Sequence, residues 1–329
     1  MTADTVLEVK NLKTWFYTRR GIVKAVNGVD FTLGRGECLC LVGESGCGKT
    51  VTALSILRLF DSPPGRIVEG EVIYKGLDLA SCTIQRLRQI RGKDIAMVFQ
   101  NAQSALNPVF TIGDQIVEQI NAHGQVSRAD AVAKACRLLE EMKISQPERA
   151  LKMYPHQMSG GMKQRAMIAM SLSCDPCILI ADEPTTAVDV TIRAQIMHIL
   201  QELKANRDMS IIFITHDLSL VREIGDRAAV FYGGKVVEVD TVEHILESPA
   251  HPYTIGLMRC LPDISTDSKR LPSIPGNTPN PIDMPAGCSF HPRCQEVMEV
   301  CHSKDPALMN IAGVHAVACH LFSAAGGKN

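Results

Sequence analysis

The sequence predicts an α/β fold, and three stretches of the 329-residue chain carry that expectation. The apolar run Glu37-Cys-Leu-Cys-Leu-Val42 leads directly into the glycine-rich string Gly43-Glu-Ser-Gly-Cys-Gly-Lys-Thr50, and helix-forming residues follow from Val51 to Leu59. A second apolar run, Cys177-Ile-Leu-Ile-Ala181, ends in the carboxylates Asp182 and Glu183. A third, Ile211-Ile-Phe-Ile214, precedes Thr215-His216-Asp217. Short apolar runs bounded by turn residues read as buried strands, and their alternation with helical patterns reads as an α/β core.

Each element follows from its residues. Val29, Phe31 and Leu33 alternate as a half-buried strand ahead of the first buried one. Gly43, Gly46 and Gly48 let successive backbone N–H groups converge on an anion at a helix N-terminus. Strand, glycine loop and helix in that order are the context of a nucleotide phosphate loop, in which Lys49 reaches the β- and γ-phosphates and Thr50 holds Mg²⁺. Asp182 is placed to orient Mg²⁺ through its water shell, and Glu183 to polarise the water that attacks the γ-phosphate. Ser127 and Asp130 form a capping pair, after which Val132, Cys136, Leu139 and Met142 recur at helical spacing. Ile192, Ile196, Ile199 and Leu203 give a second helical stripe, and both stripes read as core packing. Ala228 to Val239 reads as a β-hairpin around Gly233-Gly234.

Composition narrows the class. Apolar residues make up 46% and charged residues 21%, as in an ordinary globular protein. A net charge of −1 with no basic block argues against nucleic acid as partner. No apolar run approaches the roughly 18 to 20 residues that span a bilayer, and the N-terminus lacks a signal-peptide pattern, so a cytoplasmic location is expected. Twelve cysteines in that setting suggest free thiols or metal ligands over a disulfide framework. Cys47, beside Lys49 at a helix N-terminus, is expected to be a reactive thiol of lowered pKa. Proline becomes frequent and apolar periodicity fades after Ser248. The expected organisation is therefore a domain over residues 1–245, with a helical insertion over about 101–170, and an extension over 246–329.

Tyr154-Pro-His-Gln-Met-Ser-Gly-Gly-Met-Lys-Gln-Arg165 places Ser159, Gly160 and Gly161 at the start of a helix, presenting bare N–H groups and a hydroxyl to an anion. A chain with its own phosphate loop has no obvious need of a second. Together with the phosphate loop, Gln100 in Val98-Phe99-Gln100, Asp182-Glu183, the loop to Asp189 and Thr215-His216-Asp217, this string resembles the ATP-binding cassette family over about residues 5–245. The resemblance implies a P-loop ATPase that works as a head-to-tail dimer, with each ATP held between one phosphate loop and the partner's signature. It implies that Phe16 stacks on adenine, although Trp15 and Tyr17 adjoin it. Gly43, Glu44, Ser45, Gly46, Cys47, Gly48, Lys49 and Thr50 would wrap the phosphates. Gln100 would touch the metal and the attacking water, and the segment from Gln100 to Pro108 would meet a membrane subunit. Glu183 would be the general base, and His216 would contact the γ-phosphate. Ser159, Gly160, Gly161, Met162 and Asp189 would complete the partner's site. Met162, where the family usually has glutamine, and Val188, where it has leucine, depart from the pattern without removing a charged group.

Val42-Gly-Glu-Ser-Gly46, the run from Ser159 to Met170, and Ser248-Pro-Ala-His-Pro-Tyr-Thr254 narrow the resemblance to importers of peptides and nickel. For that group it implies a second, different ATPase subunit, two transmembrane permeases, an extracytoplasmic binding protein, and a peripheral place on the cytoplasmic membrane face. Di- or oligopeptide is the expected cargo, with nickel or a metallophore as the alternative. A soluble cassette ATPase, or an assembly protein with a redox sensor, is a more distant reading. Cys288, Cys294, Cys301 and Cys319 lie in a stretch poor in core residues, which gains stability from a metal. A structural iron–sulfur cluster, of the four-iron four-sulfur kind carried by some resembling dipeptide-importer ATPases, zinc, and unligated thiols all remain open. His291, His302, His315 and His320 lie near in sequence and could replace a cysteine.

Overall fold

A computed structural model describes residues 4–186, 188–260 and 273–322. Among the described residues twelve strands run in chain order: β1 Thr5–Thr18, β2 Gly21–Gly34, β3 Cys38–Val42, β4 Gly65–Tyr74, β5 Leu77–Asp78 and β6 Ile95–Val98, then β7 Ile178–Asp182, β8 Ser210–Thr215, β9 Arg227–Tyr232, β10 Lys235–Thr241, β11 Met309–Ala312 and β12 His315–Val317. The helices are α1 Lys49–Ile56, α2 Ile84–Ile90, α3 Ala102–Ala105, α4 Ile112–His123, α5 Arg128–Glu141 and α6 Pro147–Ala150, followed by α7 Gly160–Ser171, α8 Val190–Arg207, α9 Leu218–Ile224, α10 Val242–Glu247 and α11 Pro252–Arg259. The fold is α/β, and the chain divides into two compact units. One comprises residues 1–33, 39–81 and 215–329, the other 34–38 and 82–214.

In the first unit β2, β1, β4 and β5 form one sheet. Leu7 and Val9 face inward on β1, then a bulge between Lys10 and Lys13 shifts the phase so that Leu12 and Thr14 take over. Val29, Phe31 and Leu33 of β2 are all buried, as their alternation predicts. The same unit holds the neighbouring strands β11, β12, β10, β9 and β3. β3 lies parallel to β9, and β9 returns as β10 through the hairpin at Gly233-Gly234. β12 pairs antiparallel with β10, so backbone hydrogen bonding continues from the cassette-like part into the C-terminal residues.

The second unit contains the parallel strands β6, β7 and β8. Every residue of β7 is buried, which explains why its sequence is a continuous apolar run and not an alternating one. Helices α3 to α7 follow β6 in sequence. Ser127 caps α5 by accepting the Asp130 N–H. Of the expected stripe Leu139 and Met142 are buried, Cys136 is half-buried and Val132 is 41% exposed, while Ala131, Ala135 and Leu138 complete the inward face of α5. Small alanines let α5 approach α4 and α7, two of the helices it contacts. On α8, Ile196, Ile199 and Leu203 are buried as expected, joined by Met197 and Leu200.

An aromatic cluster anchors the C-terminal residues within the first unit. Tyr232 of β9 lies 4.6 Å from Tyr253 of α11 and 5.1 Å from Phe290, centroid to centroid. His251, fully buried beside Phe290, caps α11 by accepting the Tyr253 N–H at 3.0 Å on Nδ1. Burial pushes the His251 pKa down from 6.5 to about 3. Below pH 6.5 the unfolded chain therefore takes a proton that the folded chain refuses, and stability falls with pH by up to about 1.4 kcal/mol per unit. Urea midpoints measured between pH 6.5 and 5.5 should drop accordingly, and His251→Asn, which can keep the cap, should flatten the slope by about one proton. An unchanged slope in that variant would assign the titration elsewhere.

Candidate nucleotide site

The phosphate loop joins β3 to α1 through backbone that only glycine tolerates at two points. A side chain on Gly43 would lie 2.3 Å from the Phe231 carbonyl oxygen, and one on Gly48 would lie 2.5 Å from that of Ala25. Gly46 faces open space, with nothing within 4 Å of where its Cβ would be. Lys49 is buried, and its Nζ donates to the carbonyls of Gly43 at 2.7 Å and Glu44 at 3.0 Å. A buried ammonium at the mouth of a glycine cradle fits a polyphosphate. Thr50 sits one residue into α1, half-buried.

Cys47 corrects one expectation. Its thiol is 5% exposed and lies 3.4 Å from the Lys49 Nζ. Burial raises its pKa more than the nearby ammonium lowers it, the opposite direction from the lowered pKa expected of an activated thiol.

Glu44 reveals partners that sequence reading missed. Arg293 binds it through both guanidinium arms, Nη1 to Oε2 at 2.7 Å and Nη2 to Oε1 at 3.0 Å. The Arg293 side chain is almost fully buried, its Nε donates to the Pro275 carbonyl, and the pairing with Glu44 raises its pKa. The Glu44 N–H donates to the Tyr253 hydroxyl at 3.0 Å. The tyrosine of the His-Pro-Tyr string therefore holds the phosphate loop directly. That string was visible in the sequence, but nothing local indicated its target.

In the second unit, β7 delivers Asp182, fully buried, and Glu183 just beyond it. Glu183 has a φ of 44°, a left-handed conformation fixed by its N–H donating to the Ile214 carbonyl at 3.0 Å. Its Oε2 accepts from Gln100 Nε2 at 2.8 Å and from Thr186 Oγ1 at 2.9 Å. Two residues chosen from separate motifs, Gln100 and Glu183, are thus in direct contact. Ser159 caps α7 by accepting the Met162 N–H, and Gly160 is open on its outer side. Gly161 is closed on its inner side, where a Cβ would lie 2.8 Å from Ile192. Asp189 accepts the Ile192 N–H at 2.8 Å and caps α8. His216 is exposed at the end of β8. Of the three aromatics, Tyr17 is 48% exposed, Trp15 lies under Lys24, and half-buried Phe16 packs edge-on against Phe60.

Cys288, Cys294, Cys301 and Cys319 line one small cavity with His291 and His320. Burial raises the pKa of Cys288, Cys294 and Cys319, the last to about 11, and the neighbouring cysteines push the same way. No three of these four described sulfurs lie within 4.8 Å of one another. His315 is not part of this group: it turns to Glu238 and Asp240. His302 packs against His291, whose Nδ1 lies 2.9 Å from the Cys288 carbonyl oxygen.

Removing the Arg293 clamp leaves a negative Glu44 uncompensated in the phosphate loop. Arg293→Ala should weaken ATP binding about tenfold, the equivalent of about 1.4 kcal/mol, and adding Glu44→Gln should restore part of it. Fluorescent-nucleotide titration checks both. A lowered Tm with unchanged nucleotide affinity would reduce Arg293 to a purely structural residue.

Comparison with known proteins agrees with this geometry. The family description "ABC transporter" matches residues 26–186, and "Oligopeptide/dipeptide transporter, C-terminal region" matches residues 237–301. The probable peptide ABC transporter ATP-binding protein y4tR of Sinorhizobium fredii is 48% identical over 96% of this chain and 95% of its own. The oligopeptide transport ATP-binding protein AppD of Bacillus subtilis is 44% identical over 99% of both. Among solved structures, the dimeric bacterial ABC transporter cassette MJ0796 superposes with a TM-score of 0.65 at 27% identity, covering 72% of this chain and 98% of that one. A phosphate loop, an acid-ended strand, a capped Ser-Gly-Gly helix and a matching C-terminal region converge on one conclusion: the chain belongs to the ATP-binding proteins of ABC transporters.

Proposed function

We propose that the chain is the ATP-hydrolysing subunit of a peptide importer, seated on the cytoplasmic face of a membrane. The contact of Gln100 with Glu183 carries the hydrolytic part of this reading, because it poises a carboxylate at a strand end beside an amide that can hold a water. Peptide as cargo is supported by the names of the relatives and by the C-terminal region. Residues 1–245 act as the cassette and 246–329 as its extension. Transport runs through permease partners fed by an extracytoplasmic binding protein, a reading supported by the transporter names of the relatives; among the described residues no helix is long and apolar enough to cross a membrane. A second, different ATPase subunit completes the pair.

Lys49 binds the β- and γ-phosphates, and the loop from Gly43 to Thr50 wraps them with N–H groups. Phe16 stacks on the adenine. Thr50 and Asp182 are the residues that would hold Mg²⁺, which when bound neutralises phosphate charge. Gln100 orients the attacking water, Glu183 takes its proton, and His216 holds the γ-phosphate. Ser159, Gly160, Gly161, Met162 and Asp189 serve the partner's nucleotide across the dimer. The four cysteines would hold an iron–sulfur cluster that cross-links the extension. Zinc held by the same thiolates is the alternative.

Affinity purification from native membranes should recover two permeases and a second cassette chain, and Glu183→Gln should lower kcat of that complex about 10²- to 10⁴-fold. Recovery without membrane partners, or with ribosomal material, would overturn the importer reading and leave the ATPase standing. Anaerobic purification should yield about four iron and four labile sulfide per chain, lost in Cys294→Ser. Stoichiometric zinc without iron would replace the cluster.

A further inference from the structure

Strand β10 carries two carboxylates, Glu238 and Asp240, on one face and almost completely buried. Buried carboxylates need partners, and His315 of β12 sets one ring nitrogen near each of them. The register that sets Glu238 opposite Val317 brings His315 to Asp240. His315 Nε2 lies 2.9 Å from Glu238 Oε1, and its Nδ1 lies 3.2 Å from Asp240 Oδ2. His244, on α10, places its own Nδ1 2.8 Å from the same Oδ2.

Accounting for donors exposes the problem this cluster solves. Glu238 accepts the N–H groups of Ala250 at 2.7 Å and His251 at 3.0 Å, and it takes the Nε2 side of His315. A neutral imidazole has one N–H. In the neutral form that a metal ion requires, an Nε2–H directed at Glu238 leaves the His315 Nδ1 lone pair facing Asp240. Asp240 Oδ1 is already engaged by the Thr241 N–H at 2.7 Å, so Oδ2 is the oxygen that faces the rings. Nδ1 of His315, Nδ1 of His244 and Oδ2 of Asp240 lie within 4.8 Å of one another. With both rings neutral and Nδ1 unprotonated, these three atoms form a donor set that a metal ion can take up at their centre.

We propose that Asp240, His244 and His315 form a binding site for a divalent transition-metal ion, separate from the nucleotide loop and from the four cysteines. Two imidazoles with one carboxylate suit Zn²⁺ and similar ions over the all-oxygen preference of Mg²⁺ and Ca²⁺. Glu238 acts behind His315 as the carboxylate that fixes a ligating ring's tautomer and direction. The His244 side chain is 59% exposed, which gives an ion a way in and a water a place as a further ligand. Bound there, the ion ties β10, α10 and β12 together. Through Glu238 it also reaches the backbone that starts α11.

Cobalt(II) titration of the full chain tests this, because the optical spectrum separates the two kinds of site. Thiolate ligands give strong near-ultraviolet charge transfer, whereas nitrogen and oxygen ligands give only weak visible bands. The expected result is one equivalent of cobalt per chain without the charge-transfer band. It should be lost in His244→Ala, whose exposed position leaves folding intact, and bound about 10- to 100-fold more weakly in Glu238→Gln. Equal binding of that equivalent by wild type and His244→Ala, or no such equivalent in wild type, would overturn the site and leave a shared proton at its centre.

Discussion

A loop that offers bare N–H groups to an anion cannot carry the side chains that would hold it in shape, so its shape must be imposed from outside. Here the mould is backbone on one side and the C-terminal region on the other. The carbonyls of Phe231 and Ala25 press against Gly43 and Gly48, and the Gly234 N–H donates to the Cys47 carbonyl. Tyr253 and Arg293 then hold Glu44, the loop's largest side chain before the lysine. The buried aromatic cluster and the cap at His251 exist in the positions that this grip requires.

How much of this was legible in the sequence follows from how local each signal is. The strand, loop and helix around Lys49, the capped helices at Ser127 and Ser159, and the acid-ended strand at Glu183 depend on neighbours within a few residues. Arg293 and Glu44 are separated by 249 positions, and no spacing rule joins them. The inward face of α5 is only half legible, because Leu139 and Met142 stand in the apolar stripe whereas Ala131 and Ala135 weigh little in it yet allow close helix packing. Cys47 was misread for a different reason. Its sequence neighbours lower a thiol pKa, and only the fold shows that burial outweighs them. His315 stands near the cysteines in sequence but belongs to β10 in space.

The C-terminal region relies on polar contacts to an unusual degree. Arg293, His251, His315, Glu238 and Asp240 are all buried, and each is matched by a partner of opposite or complementary character. A short segment with few large apolar side chains gains definition this way, since a mismatched register would strand a charge in the interior. The cavity lined by the four cysteines lies in the same neighbourhood, and Cys294 follows Arg293 directly.

The left-handed backbone at Glu183 has a consequence for how this position can change. Holding a non-glycine residue at a φ of 44° costs on the order of 1 kcal/mol or more, offset by the anchoring contacts to Ile214, Gln100 and Thr186. Glutamine inherits that cost while losing the carboxylate. Glycine would relieve it while losing the whole side chain. The residue that suits the proposed chemistry is therefore not the one that suits the chain, and selection for stability alone would drift away from it.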